Sequence, residues 1–127
     1  MNFTYSKAEK LKSKTTIDLL FSKGKSVSKY PLRLVYIEGD FGEGIPIKMG
    51  VSVSKKHFKK AVDRNYFKRV LRETYRLNKH LLLDNLSAPF SFMFLYQSQD
   101  RLPFEEINKK TIQLFDKFLE AQKTEIK

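Results

Sequence analysis

The sequence contains no cysteine, no tryptophan and only two histidines in 127 residues. The absence of cysteine excludes disulfide bonds, thiolate metal sites and cysteine nucleophiles, and it fits a reducing cytosolic environment. Glycine and proline are also sparse, at five and four residues. Because we find no linker, repeat or low-complexity segment, we expect residues 1–127 to form a single domain.

Long apolar runs are missing as well. The longest, Phe92–Tyr96, has five residues, whereas a membrane-spanning helix needs about 20. The basic N-terminal stretch is not followed by the apolar segment that signal peptides carry. We therefore expect no membrane association and a location in the cytoplasm.

Negative charge is the other scarce component. Fourteen acidic residues face 25 lysines and arginines, which gives a formal net charge of +11. Residues 1–29 hold seven lysines against two acids, residues 55–79 hold ten basic residues against two acids, and the remainder is close to neutral. A localised excess of this kind indicates a defined surface for a polyanion rather than general solubility.

The residue pattern predicts three helices. Apolar residues recur at helical spacing over 16–23, over 60–79 and again after Pro103, which we place at the first position of the last helix. Gly24 follows the first helix where a left-handed C-terminal cap would stand. The 11 phenylalanines and six tyrosines are enough to fill a hydrophobic core between these helices and a sheet.

Alternating apolar residues predict strands over 32–36, 45–53 and 90–96, with a short extra pairing near Val27. We expect the first two to be antiparallel neighbours. The strand over 90–96 is apolar on both faces, so it should lie inside the sheet. The resulting order α-β-β-β-α-β-α predicts an α+β fold, a two-layer α/β sandwich with helices on a small mixed sheet.

The helix over 60–79 has a cationic face. Arg64, Lys68, Arg72 and Arg76 follow one another at intervals of four residues, and like charges at this spacing repel by a few tenths of a kcal/mol. A ladder of one sign is favoured where phosphates neutralise it. The candidate nucleic-acid-binding residues of this helix and the segment before it are Lys55, Lys56, Lys59, Lys60, Arg64, Asn65, Lys68, Arg69, Arg72 and Arg76.

Other interpretations of this helix remain open. A charged face can simply be solvated, although solvated faces normally mix signs. A basic amphipathic helix can also lie on an anionic membrane or fit calmodulin, but the apolar arc, in which we place Tyr66, is needed for packing. A general RNA-binding module of the ribosomal or chaperone type would show the same charge.

A longer stretch resembles a known family. Gly50-Val51-Ser52-Val53-Ser54-Lys55-Lys56, followed by the run from Lys60 to Glu73 with Arg64-Asn65-Tyr66 inside it, resembles the signature of the bacterial ribonuclease P protein subunit. Two positions depart from the family pattern: Tyr66 stands where an arginine is usual, and Ile17 stands where many members have an aromatic residue.

The resemblance implies an accessory subunit of an endoribonuclease that removes the 5′ leader of precursor tRNA. It also implies a left-handed βαβ crossover, a catalytic RNA as partner, and Mg²⁺ as the cofactor of the RNA–protein holoenzyme. Carried over by position, Arg64, Asn65, Lys68, Arg69 and Arg72 would contact the catalytic RNA. A cleft beside the first helix would hold the single-stranded leader, and its residues would be Ile17, Phe21, Tyr36, Ser52 and Ser54.

No catalytic constellation is recognisable in the chain itself. The acids are scattered, whereas a protein nuclease acting through metal needs two or three convergent carboxylates. His57 and His80 are separated by the long helix, and no phosphate loop, zinc spacing or Ser-His-Asp arrangement is present. We therefore predict no catalytic or metal-binding residue in this chain.

Overall fold

The computed structural model describes residues 5, 9–39 and 45–125, with side chains to residue 123. It confirms the α+β class and the predicted element order. The elements are α1 (Lys14–Lys23), β1 (Lys25–Lys29), β2 (Leu32–Glu38), β3 (Ile47–Val53), α2 (Ala61–Leu83), β4 (Phe90–Tyr96) and α3 (Phe104–Glu125). Strand β1 is the extra pairing expected near Val27.

The four strands form one mixed sheet in the order β1-β2-β4-β3. Strand β4 is central, as predicted, and pairs antiparallel with β2 and parallel with β3. The expectation that β2 and β3 are antiparallel neighbours is therefore wrong, because β4 lies between them. Parallel neighbours need a long connection, and α2 supplies it between β3 and β4. The handedness of this βαβ unit stays a prediction from the resemblance.

The two faces of the sheet carry different cores. Phe92 and Phe94 of β4 point towards α2 and α3, where Phe92 packs against Phe118 with ring centroids 5.2 Å apart. These two helices and the sheet form the predicted two layers. On the opposite face Val35, Met93 and Leu95 form a smaller cluster with Leu20 of the short helix α1. The alternation along β2 and β4 thus gives each face its own helical cover.

Helix α1 is held at both ends by local hydrogen bonds. The Ser13 hydroxyl accepts from the Thr16 amide at 3.3 Å, and the Gly24 amide donates to the Leu20 carbonyl at 2.8 Å. The predicted left-handed cap is wrong, because Gly24 has a φ of −71°. Glycine is needed for close approach instead: a Cβ there would lie 2.3 Å from the Leu20 carbonyl oxygen.

The N-terminal residues close the outer edge of β3. Lys10 forms a parallel bridge with Met49, and the Leu11 amide donates to the Met49 carbonyl at 3.1 Å. Glu9 then reaches α2, where its carboxylate accepts from Lys79 Nζ at 2.7 Å and from the Tyr75 hydroxyl at 2.6 Å. This buried ion pair ties the start of the chain to the longest helix.

Helix α3 begins one residue later than predicted. Pro103 precedes the first helical residue, and its carbonyl accepts hydrogen bonds from the amides of Glu106 and Ile107 at 3.1 Å each. Two acidic residues in the first turn favour this end of the helix through its dipole. Within the described ranges, no helix has the length and apolar character that crossing a membrane requires.

Candidate nucleic-acid interface

The ten predicted nucleic-acid-binding residues lie together on α2 and on the connection that leads into it from β3. We call this set the basic flank. Its members are Lys55, Lys56, Lys59, Lys60, Arg64, Asn65, Lys68, Arg69, Arg72 and Arg76. Seven of them are exposed, and Arg64, Lys68 and Arg76 are half-buried. The structure therefore brings the predicted set to one accessible side of the molecule.

Arg64 has a structural role within the basic flank. Its Nη1 donates to the Phe58 carbonyl at 2.9 Å and to the Lys59 carbonyl at 2.7 Å. These bonds fix the connection against the first turn of α2, where the Lys60 carbonyl also accepts from the Arg64 amide at 3.2 Å. Arg64 thus positions the lysines of the connection beside the cations of the helix.

Both acidic residues of α2 already have a basic partner. Glu73 pairs with Arg76, whose hydrogen bond lowers the pKa of the Glu73 carboxyl. Asp63 pairs with Arg101 at 3.1 Å. In the part of the chain that the structure describes, no acidic side chain forms a salt bridge with Lys55, Lys56, Lys59, Lys60, Arg64, Lys68, Arg69 or Arg72. Their positive charge is available to an external anion.

Arg101 borders the basic flank, where it pairs with Asp63, and was not predicted. It lies in the connection between β4 and α3, distant in sequence from α2, and its guanidinium sits 5.8 Å and 5.4 Å from the ring centroids of Phe58 and Phe67. Such cation–π contacts hold a charged side chain over a core edge. No signal in the sequence spacing points to Arg101, since only the fold brings it to Asp63.

Four of the five predicted cleft residues lie at the side of the sheet covered by α1. Ile17 packs into the small cluster with Met93, while Phe21 is 54% exposed one helical turn later. Ser52 of β3 alternates onto the same face as Gly50, and Ser54 is exposed just after the strand. We use the name α1 groove for the set Ile17, Phe21, Ser52 and Ser54, which the resemblance predicts to line one cleft.

The assignment of Tyr36 to this groove is wrong. Tyr36 is 5% exposed and packs edge-on against Phe118 of α3 at 4.7 Å, on the opposite face of the sheet. Side chains alternate along a strand, so a shift of one residue changes the face. Its neighbour Val35 occupies the position that faces α1.

A recess of about 340 Å³ is lined by Ile17 of the α1 groove and by Arg72 of the basic flank. Tyr5, Lys10, Lys12 and Gly50 are further lining residues. Burial raises the pKa of Tyr5 to about 12, with the nearby Arg72 cation partly opposing this, so the hydroxyl stays a neutral donor to the Met49 carbonyl. Lys10 and Lys12 were not among the predicted binding residues, although the excess of lysine in residues 1–29 pointed to that segment.

The described residues offer no metal centre. Across residues 5, 9–39 and 45–123, no three histidine, aspartate or glutamate side chains converge as ion ligands. Mg²⁺, which the resemblance assigns to a holoenzyme, finds no such cluster of carboxylates among these residues. The exposed cations of the basic flank can bind anionic phosphate groups.

The family of the chain follows from its similarity to known proteins. The ribonuclease P family matches residues 5–119 of the chain. The chain belongs to this family. The ribonuclease P protein component of Porphyromonas gingivalis strain ATCC 33277 is 44% identical over 106 residues, which cover 80% of this chain and 75% of that protein. The component of Legionella pneumophila strain Lens is 34% identical over 74 residues, 58% of this chain and 62% of that one.

Solved structures show the same fold. The ribonuclease P protein of Staphylococcus aureus superposes with a TM-score of 0.70 at 21% identity, covering 87% of this chain and 94% of that one. The protein of Thermotoga maritima gives 0.68 at 23% identity, covering 86% and 96%. The resemblance found in the sequence is confirmed: the chain is a protein subunit of ribonuclease P, which places it in tRNA processing.

Proposed function

We propose that the chain, acting as one RNA-binding domain in the cytoplasm, binds the catalytic RNA of ribonuclease P through the basic flank. The α1 groove would bind the 5′ leader of precursor tRNA, and the two contacts together would promote Mg²⁺-dependent maturation of the tRNA 5′ end. The observation that carries this proposal is the set of cations on one exposed side that no described acidic residue neutralises. Family membership supplies the identity of the RNA.

The two surfaces suit two different RNA structures. Exposed lysines and arginines bind phosphates of a folded RNA without reading sequence. The α1 groove instead combines the exposed Phe21 ring with small hydroxyl side chains, and single strands are held by stacking and backbone contacts. The recess lined by Lys10, Lys12 and Arg72 adds further cations beside Ile17, where the leader would bind.

In this proposal the reaction chemistry belongs to the RNA, with Mg²⁺ held there. The protein orients its partners and raises the affinity for substrate. The second candidate is a general RNA-binding module without ribonuclease P activity, which the same positive charge would allow. It differs in that it would bind unrelated RNAs as tightly and would stimulate no cleavage.

Reconstitution tests the proposal directly. Purified protein, added to a bacterial ribonuclease P RNA at low Mg²⁺, is expected to stimulate 5′ cleavage of precursor tRNA by at least about tenfold, since each 1.4 kcal/mol of added binding gives a factor of ten. A matched structured RNA of equal length measures nonspecific binding. Equal affinity for both RNAs with no stimulation would support the general RNA-binding module instead.

The leader contact has its own prediction. Phe21→Ala is expected to weaken binding of a long-leader precursor tRNA by about 1–3 kcal/mol, the loss of one stacked base, while binding of mature tRNA stays unchanged. Affinities of the reconstituted holoenzyme for both substrates measure this. Ile112→Ala, which truncates an exposed apolar residue on α3, is the control. An equal loss for both substrates would contradict a leader contact at Phe21.

A further inference from the structure

Tyr66 borders the basic flank beside Arg69 and, unlike the flank residues, is aromatic. We propose that Tyr66 and Arg69 together form a stacking site for an unpaired base of the catalytic RNA. This inference rests on the proposed function and names a contact of a different kind from the phosphate contacts of the flank. It concerns a position at which this chain departs from the arginine of the family pattern.

The first observation is exposure. The helical projection placed Tyr66 in the apolar arc of α2, but its side chain is 39% exposed, whereas the adjacent Phe67 is almost fully buried. Val62, one turn earlier, is 72% exposed. Tyr66 therefore stands at the margin of the packed face, with part of its ring open to solvent among cations.

The second observation is how the ring is held. Its centroid lies 5.0 Å from that of Phe67 with the planes at 85°, so the buried phenylalanine anchors it edge to face. The guanidinium carbon of the exposed Arg69 lies 5.8 Å from the ring centroid. An anchored ring loses little further conformational entropy when a ligand stacks on it.

These features select a nucleobase as the ligand. A tyrosine side chain is not a cation, so it adds nothing to the counterion release that drives phosphate binding. Unpaired bases stack on aromatic rings and on the planes of arginine guanidinium groups, and here the Arg69 guanidinium lies over the Tyr66 ring. The surrounding lysines and arginines would hold the backbone on either side of that base. An RNA bulge or loop, rather than a regular duplex, fits this arrangement, since its bases are unstacked and accessible.

Equilibrium binding to a bacterial ribonuclease P RNA at several salt concentrations tests the stacking site. Tyr66→Ala and Tyr66→Leu are expected to weaken binding by about 5- to 150-fold, the range for loss of one stacked base. Tyr66→Phe keeps the ring and should stay within about twofold of the unmodified protein. The slope of log affinity against log salt should be the same for all four proteins, because no phosphate contact is lost.

Two results would overturn the proposal. One is a Tyr66→Leu variant that binds as tightly as the unmodified protein, which would reduce Tyr66 to apolar cover for Phe67. The other is a salt slope lowered by about one unit, which would mean that the position acts through a phosphate. Failure of the unmodified protein to prefer this RNA over a matched structured RNA would instead refute the proposed function, and the stacking site with it.

Fluorescence gives a second measure of stacking that does not depend on affinity. The chain has no tryptophan, so Tyr66→Trp introduces a single tryptophan, whose emission is separable from that of the remaining tyrosines. Its fluorescence is expected to be quenched on addition of the RNA, whereas that of an Ile112→Trp control on α3 should be unaffected. Thermal unfolding of each variant shows that it is folded, and a folded Tyr66→Trp protein that binds RNA without quenching would contradict stacking.

Discussion

Glu9→Ala is expected to lower the free energy of unfolding by about 3–5 kcal/mol, the usual cost of removing one partner of a buried ion pair. Lys79 is 1% exposed and Glu9 is 13% exposed. Without the carboxylate, the Lys79 ammonium stays inside α2's packed face with no compensating charge, and the Tyr75 hydroxyl loses its acceptor. Urea denaturation followed by circular dichroism measures the change.

A companion variant separates charge from packing. Lys79→Met keeps most of the aliphatic side chain and removes the ammonium, so combined with Glu9→Gln it should recover part of the lost stability. The matched surface pair is Lys123 with Glu120, both well exposed, where Glu120→Ala should cost less than about 1 kcal/mol. If Glu9→Ala cost no more than Glu120→Ala, the N-terminal residues would not be fastened to α2 in solution.

The second large effect is the dependence of RNA binding on salt. The basic flank offers eight cations without a described acidic partner, so we expect on the order of 6 to 10 phosphate contacts. Binding of the catalytic RNA should then weaken by about 10³- to 10⁵-fold between 50 and 200 mM salt. Filter binding or fluorescence anisotropy across that range measures the slope.

Single substitutions test whether the basic flank is responsible for this dependence of RNA affinity on salt. Lys56→Ala should lower the slope by about one unit, whereas Lys123→Ala at the far end of α3 should leave it unchanged. Arg64→Ala is expected to lower the slope further, because the lysine connection loses its hydrogen bonds to the helix as well. Identical slopes for Lys56→Ala and Lys123→Ala would place the RNA elsewhere on the molecule.

The periodicity of apolar residues was enough to predict the helices and strands and the central position of β4. Strand β4 was placed inside the sheet because Phe92 and Met93 are both apolar and point to opposite faces. The neighbours of each strand could not be derived, since alternation says which face a residue occupies and nothing about the strand beside it. The assumption that consecutive strands pair therefore failed for β2 and β3.

The placement of the candidate residues was predictable where they lie on one element. The cations of α2 share a face by helical geometry, and the structure brings them together, while their contact with RNA stays a prediction. Residues joined by tertiary contacts were missed or misplaced: Arg101 meets Asp63 only in the folded chain, and Tyr36 was assigned to the wrong face. Lys79 was counted with the surface charge, although its spacing of four residues from the buried Tyr75 was a sign of its burial.

Strand β4 forms hydrogen bonds with both β2 and β3 but is the last strand to be synthesised. On the ribosome, β2, β3 and the whole of α2 emerge before their common partner exists. A nascent or truncated chain that ends before Phe90 would therefore expose unpaired strand edges beside a highly cationic helix, which favours aggregation. The sheet can therefore be completed only after synthesis has passed Tyr96.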